Sequence, residues 1–208
     1  MTTTLLLSSC YPAKAAMAVL AGTVDECPDL SAVQVRLPRD TEQLCDDFRA
    51  ALAAGNRLIV AFSFYSPSFP DAVAQLNALK AISSTGWVSI AGGVHATAET
   101  AQTLEAGFDF VCVGEGERAI IDLLLRAERG LPLEGASGFA WRGGRGPKPP
   151  PVELDEFPPF SVKSRLYSAI EITRGCIYAC RFCQTPYMSK ARFRHRSVEN
   201  VRRWVRAL

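Results

Sequence analysis

Hydrophobic positions over the first ~130 residues switch repeatedly between two periods. Five short apolar runs read as strands: "TTLLLSS", "AVQVRL", "RLIVAFSF", "WVSIAGG" and "FDFVCVGEGE". Five stretches of helical period alternate with them: "AKAAMAVLAGTVDE", "DTEQLCDDFRAALAAG", "SFPDAVAQLNALKAISSTG", "TAETAQTLEAG" and "ERAIIDLLLRAERG". The second carries Leu44, Phe48 and Leu52 at a spacing of four, begins at Asp40 as N-cap and stops at Gly55. Thr97 is expected to cap the fourth. Near-continuous apolar strands followed by helices predict a parallel sheet covered on both faces. The fold class is therefore α/β, a doubly wound, Rossmann-like five-stranded parallel sheet over residues 1–130. Such sheets bind ligands outside the carboxyl ends of their strands. Those ends are "SSCYPAK", "FSFYSPS", "GGVHAT" and "GEGER".

After residue 130 the pattern breaks. "GFAWRGGRGPKPPPVELDEFPPF" holds a short strand candidate and then a Gly/Pro-rich stretch, which predicts a linker over 131–165. "SAIEITRG" reads as a new strand and "SVENVRRWVRAL" as a helix capped by Ser197, so 166–208 reads as the start of a second domain.

Composition adds limits. Of the 208 residues 48% are hydrophobic, enough for a core, and a net charge of +2 names no partner. No apolar run approaches the ~20 residues of a membrane span. No basic residue precedes the apolar patch at the N-terminus, which argues against a secretory signal and predicts a cytoplasmic chain. Between Lys190 and Arg206 basic residues dominate. This reads as a solvated rim, and nucleic acid is not an expected partner.

Seven cysteines are an odd number for a disulfide framework. Cys10, Cys27, Cys45 and Cys112 are scattered, whereas Cys176, Cys180 and Cys183 cluster in "EITRGCIYACRFCQTP". Their i, i+4, i+7 spacing would also suit a helical stripe, but Gly175 and the strand-like run before it oppose a long helix. A zinc site would need a fourth ligand, for which His195 is available. A [4Fe–4S] cluster takes thiolates, and three of them leave one iron open to a small chelating molecule.

"TRGCIYACRFC" resembles the signature of the radical S-adenosylmethionine superfamily. The resemblance implies that Cys176, Cys180 and Cys183 bind three irons on a loop after the first strand of a partial (β/α) barrel. It further implies that S-adenosylmethionine chelates the fourth iron and that Phe182 lies near the adenine. The N-terminal domain, in "FSFYS", "AGGVHAT" and "GFDFVCVGEGE", resembles the cobalamin-binding domain of the cobalamin-dependent class of that superfamily. By that resemblance Ser63, Gly92, Gly93, His95, Gly114 and Glu115 line a cobalamin site, with Ser63 offering its hydroxyl to the nucleotide tail. Plainer readings stand beside these. His95 can hydrogen-bond a loop, Gly92 and Gly93 can make a turn, and Glu115 and Glu117 can be a solvated helix start. "SSCYPAKAA" lacks the His that would ligate cobalt from below, so cobalamin is expected without a protein imidazole on cobalt.

The resemblance implies radical chemistry driven by reductive cleavage of S-adenosylmethionine, cobalamin-dependent methyl transfer being one form. It also implies an electron donor such as flavodoxin or ferredoxin. A Gly-Gly-Glu-type motif is missing after Cys183, so an incomplete active site is expected, as in the front part of a longer enzyme. Val198, Val201 and Trp204 are then expected to lack partners. The alternatives are a non-catalytic cobalamin-binding module and a tRNA methylthiotransferase-like fragment. The latter would need Cys10, Cys45 and Cys112 for a second cluster.

Overall fold

The computed structural model describes residues 2–9, 14–178 and 180–208. Its main sheet has the order β2-β1-β3-β4-β5-β6-β7. The first five strands are β1 (Thr3–Ser9), β2 (Gln34–Arg36), β3 (Arg57–Ser63), β4 (Trp87–Gly92) and β5 (Phe110–Cys112). All pair in parallel. The connecting helices are α1 (Lys14–Asp25), α2 (Thr41–Ala53), α3 (Phe69–Ile82), α4 (Val94–Ala98), α5 (Thr100–Glu105) and α6 (Gly116–Glu128).

Alternate residues of the apolar strands feed two cores, as a pleated strand buried on both faces must. Leu5, Leu7, Ile59, Ala61 and Ile90 pack with α1 and α6 on one face. Leu6, Leu58, Val60, Phe62 and Ala91 pack with α2 and α3 on the other. Asp40 caps α2 as the sequence predicts, accepting from Gln43 N–H at 2.8 Å.

Three local expectations need correction. Thr97 caps nothing, because the helix already starts at Val94 behind Gly93. Thr97 lies inside α4, and its Oγ1 accepts from Gly114 N–H at 3.1 Å. Residues 131–165 are predicted as a linker but are packed over much of their length. Here β6 (Phe139–Trp141) adds antiparallel to β5, and β7 (Gly144–Arg145) turns back on β6. Beyond them the chain buries Val152, Leu154, Phe157 and Phe160. "SAIEI" forms no strand. Pairing begins only at β8 (Thr173–Gly175), antiparallel to β9 (Phe193–His195), with α7 (Gln184–Ser189) between them. Ile170 instead packs beside Phe160 and Trp204.

The last helix, α8 (Val198–Val205), is capped by Ser197, which accepts from Asn200 N–H at 3.1 Å. Trp204 does find partners, in contrast to the expectation. It is buried against Ala18 and edge-on to Phe160, with ring centroids 5.5 Å apart. Val198 and Val205 remain exposed.

Candidate functional site

The carboxyl edge of the sheet is built from small residues in register. Ser63 ends β3 beside Ser9 of β1 and Gly92 of β4. A side chain at Gly92 would meet only Cys112 Cβ at 3.7 Å and Phe62 O at 3.8 Å, ordinary contacts. Gly93 is different. Its φ is +95°, and a Cβ there would stand 2.7 Å from Phe64 O. Packing alone therefore demands glycine at 93. Gly114, after β5, has φ +102° and open space where a side chain would be.

His95 follows on α4, buried and stacked on Phe69 with centroids 4.4 Å apart. Its Nδ1 is 3.0 Å from Ser66 Oγ, which matches the loop-bonding reading of this residue. Its Nε2 is buried without a hydrogen-bond partner. Burial lowers its pKa, with Glu99 opposing, so the ring is neutral at pH 7.

Glu115 does not sit in solvent, nor does Glu117. Glu115 Oε2 accepts from Arg194 Nη1 at 2.8 Å and from Val152 N–H at 2.9 Å, while Oε1 pairs with Arg194 Nη2 and with Arg174 Nη1 at 3.3 Å. Arg174 Nη2 is 2.7 Å from both Glu117 Oε1 and Glu171 Oε2. Burial would raise the Glu115 pKa, but Arg194, the Val152 N–H and Arg174 hold it below the usual carboxylate range.

The basic segment is thus only partly a solvated rim. Arg194 is half-buried in this network. Arg196 is buried and donates to Phe157 O at 2.9 Å, Glu171 O at 3.1 Å and Asn200 Oδ1 at 2.8 Å. The sequence marks Arg194 only as one of the residues of the basic segment, and Arg174 only as part of the stretch that leads into the cysteines. They flank the cysteine loop, one on β8 and one on β9.

That loop leaves β8 at Gly175. Cys176 and Cys183 are half-buried, Cys180 is exposed, and all three are free thiols. Cys183 N–H donates to Cys180 O at 3.1 Å, and Thr185 hydrogen bonds lower the pKa of the Cys183 thiol. Phe182 is 93% exposed, and Tyr178 and Tyr187 are exposed beside it. Among the described residues no three His, Cys, Asp or Glu side chains are grouped as metal ligands. His195, the candidate fourth zinc ligand, has Nδ1 3.1 Å from Thr173 Oγ1. Cys45 and Cys112 sit with opposite cores, so they do not converge on a second cluster. Cys10 lies outside the described residues.

A family model of the B12 binding domain matches residues 15–124, more than half of the chain. The chain belongs to that family.

Among solved structures, the B12-binding fold is shared with the cobalamin-dependent S-adenosylmethionine radical enzyme OxsB, solved with aqua-cobalamin and S-adenosylmethionine bound. The TM-score is 0.77 at 18% identity, over 99% of this chain and 31% of that one. The radical S-adenosylmethionine methyltransferase TsrM from Kitasatospora setae, solved with cobalamin and a [4Fe–4S] cluster bound, gives 0.68 at 16% identity, over 100% and 46%. The chain thus spans about a third of OxsB and under half of TsrM. No curated protein sequence matches. No helix among the described residues is long and apolar enough to cross a membrane.

The edge of this B12-binding domain fits its cofactor on two counts. Gly114 leaves backbone open to a large planar ligand, and the unpartnered Nε2 of His95 lies next to that edge in the chain. For the cysteine loop the fit is chemical: three free thiols within eight residues are the donor set of a thiolate cluster.

Proposed function

We propose that the chain is the cobalamin-binding part and cluster loop of a radical S-adenosylmethionine enzyme. In this reading residues 1–130 hold cobalamin at the carboxyl edge, residues 131–165 lead to the second unit, and residues 166–208 begin it. Ser63, Gly92, Gly114 and His95 contact the corrinoid, and Gly93 shapes the turn beneath them. No histidine follows β1, so cobalt takes no imidazole from there. Cys176, Cys180 and Cys183 ligate a [4Fe–4S] cluster, and Phe182 covers the adenine of S-adenosylmethionine. When bound, that cluster supplies one electron, drawn from a flavodoxin- or ferredoxin-like donor, for reductive cleavage of the sulfonium. The chain's own residues orient the two cofactors toward each other, the arrangement that a methyl transfer between them requires.

The observation that carries this reading is the clamp from Glu115, at the carboxyl edge, to Arg174, two residues before Cys176. Chemistry at a sheet edge and chemistry at a thiolate loop are useful to each other only when held together. A second reading, a cobalamin module without a cluster, is favoured by the ungrouped thiols.

The deciding experiment measures iron and acid-labile sulfide after anaerobic reconstitution, beside cyanocobalamin binding by absorbance. About four irons and four sulfides per chain, lost in a Cys176→Ala/Cys180→Ala/Cys183→Ala variant, support the first reading. Cobalamin bound with no iron retained selects the second. Neither bound rejects both.

A further inference from the structure

We propose that Arg194 is a positioning residue that couples the two sites, so that a corrinoid at the sheet edge orders the cysteine loop. This rests on the functional reading above and goes beyond it, because nothing in that reading requires the sites to sense each other.

The path is short and polar. Gly114 faces open space at the edge, and Glu115 is the next residue. Any ligand that settles the Gly114 backbone also settles the Glu115 carboxylate. Both of its oxygens are taken: from the hairpin come Arg194 on each and Arg174 on Oε1, and from the stretch before it Val152 N–H on Oε2. Arg174 has two further carboxylates, Glu117 and Glu171, and would keep its place without Glu115. Among the described residues Arg194 hydrogen-bonds no other carboxylate; its remaining bond is to Val152 O at 2.6 Å. The Glu115–Arg194 pair is therefore the contact that responds.

From Arg194 the hairpin carries the signal as a unit. Gly175 packs so closely that a Cβ there would collide with Arg192 O and stand 2.9 Å from Ser189 Cβ. Ser189 Oγ accepts from Cys176 N–H and donates to Cys176 O, each at 3.3 Å. Arg194 also pairs with Arg174 across the β8–β9 register. Among the described residues of the loop beyond, Cys180, Phe182 and Tyr187 are exposed, so these side chains are not packed against the stem. A weakly anchored loop on a firmly tethered stem takes its order from the stem.

Coupling between sites is reciprocal and commonly fivefold or more in affinity. The test uses the full chain, free of iron, and cyanocobalamin, whose cobalt is inert to thiols under brief exposure. Binding is followed by absorbance, and carbamidomethylation of Cys176, Cys180 and Cys183 by mass spectrometry. The expected result is labelling slowed about fivefold or more by saturating cyanocobalamin. In Arg194→Gln the ligand still binds but no longer slows labelling, and Arg194→Lys restores part of the effect. Binding without any change in labelling overturns the coupling and leaves the functional reading standing. So does an Arg194→Gln chain that keeps full protection. Absence of binding overturns both. If Arg194→Gln does not fold, Arg194→Lys decides, because loss of the bidentate grip must still weaken the protection.

Discussion

Arg194 grips Glu115 across 79 residues of sequence, with Nη1 2.8 Å from Oε2 and Nη2 on Oε1. Such a two-point pair is geometrically specific, and here its side chains are only 15% and 22% exposed. It ties the β8–β9 hairpin to the residue that precedes α6. Because the Glu115 pKa is depressed in the fold, its contribution is complete above the unfolded carboxylate range and disappears as pH falls through the folded value.

Glu115→Gln keeps the shape and removes the charge. At pH 7 it is expected to lower stability by about 1–2 kcal/mol, less than for a fully buried pair because water still reaches this one. The variant and the parent should converge only as pH falls through the depressed folded value, below the ordinary carboxylate range, where the parent's carboxylate is also neutral. Urea titrations from pH 3 to 7 measure this. A difference that does not change with pH would remove the Coulombic account.

The two adjacent glycines of "AGGVHAT" separate fold from site. Gly93→Ala places a methyl 2.7 Å from Phe64 O at a φ of +95°, and is expected to cost about 1–3 kcal/mol. Gly92→Ala meets only ordinary contacts and should melt with the parent. In that variant a weaker cyanocobalamin affinity reports on the edge alone. Unchanged affinity would take Gly92 out of the site.

The sheet was legible because its signal is local. Leu5 to Leu7 and Leu58 to Phe62 are apolar at every position, and a strand buried on both faces has no other pattern. Asp40 and Ser197 were legible as caps for the same reason, since each bonds a backbone N–H three residues on. The clamp was not legible. Glu115 and Arg174 lie 59 residues apart, and charged side chains read as solvated until tertiary structure brings them together. Thr97 misled because a good capping residue also serves inside a helix when another backbone N–H, here that of Gly114, needs an acceptor. An incomplete second domain predicts no partner for Trp204, yet Phe160 supplies one from a stretch whose prolines suggest a linker. The cysteine spacing names a donor set at a glance, yet spacing says nothing about whether three sulfurs point inward together.

Thiol chemistry provides a third test. Burial, with Glu117 nearby, pushes the Cys112 pKa up to about 12, so its thiol stays protonated in the fold. A raised value means that this preference is fully present below the unfolded thiol range and is lost as pH rises through the folded one. With iodoacetamide at pH 8 the native chain should leave Cys112 unmodified while Cys180, exposed on its loop, is modified. Guanidinium should remove the difference. Rapid modification of Cys112 in the native chain would mean that the end of β5 opens far more readily than its packing implies.

The last prediction concerns how the second unit is held to the first. At Gly22, on α1, a Cβ would collide with Phe160 O and stand 2.9 Å from Pro158 Cγ. The strap before the hairpin thus rests directly on the α1 backbone, and Phe160 lies between Ala18 and Trp204. Gly22→Ala forces backbone to move and is expected to cost about 1–3 kcal/mol, although alanine favours a helix. The informative comparison is Gly116→Ala on α6. There the nearest atom is a methyl of Leu20 at 3.1 Å, the end of a flexible side chain that can turn away. Gly116→Ala should therefore be neutral or slightly stabilising. Hydrogen exchange separates the two mechanisms. In Gly22→Ala the amides of α8 should exchange faster while those of β3 do not, because the strap carries Phe160 away from Trp204 and leaves the sheet intact. If β3 exchanges faster to the same degree, the defect lies in α1 itself, and the strap is not what fixes α8 to the sheet.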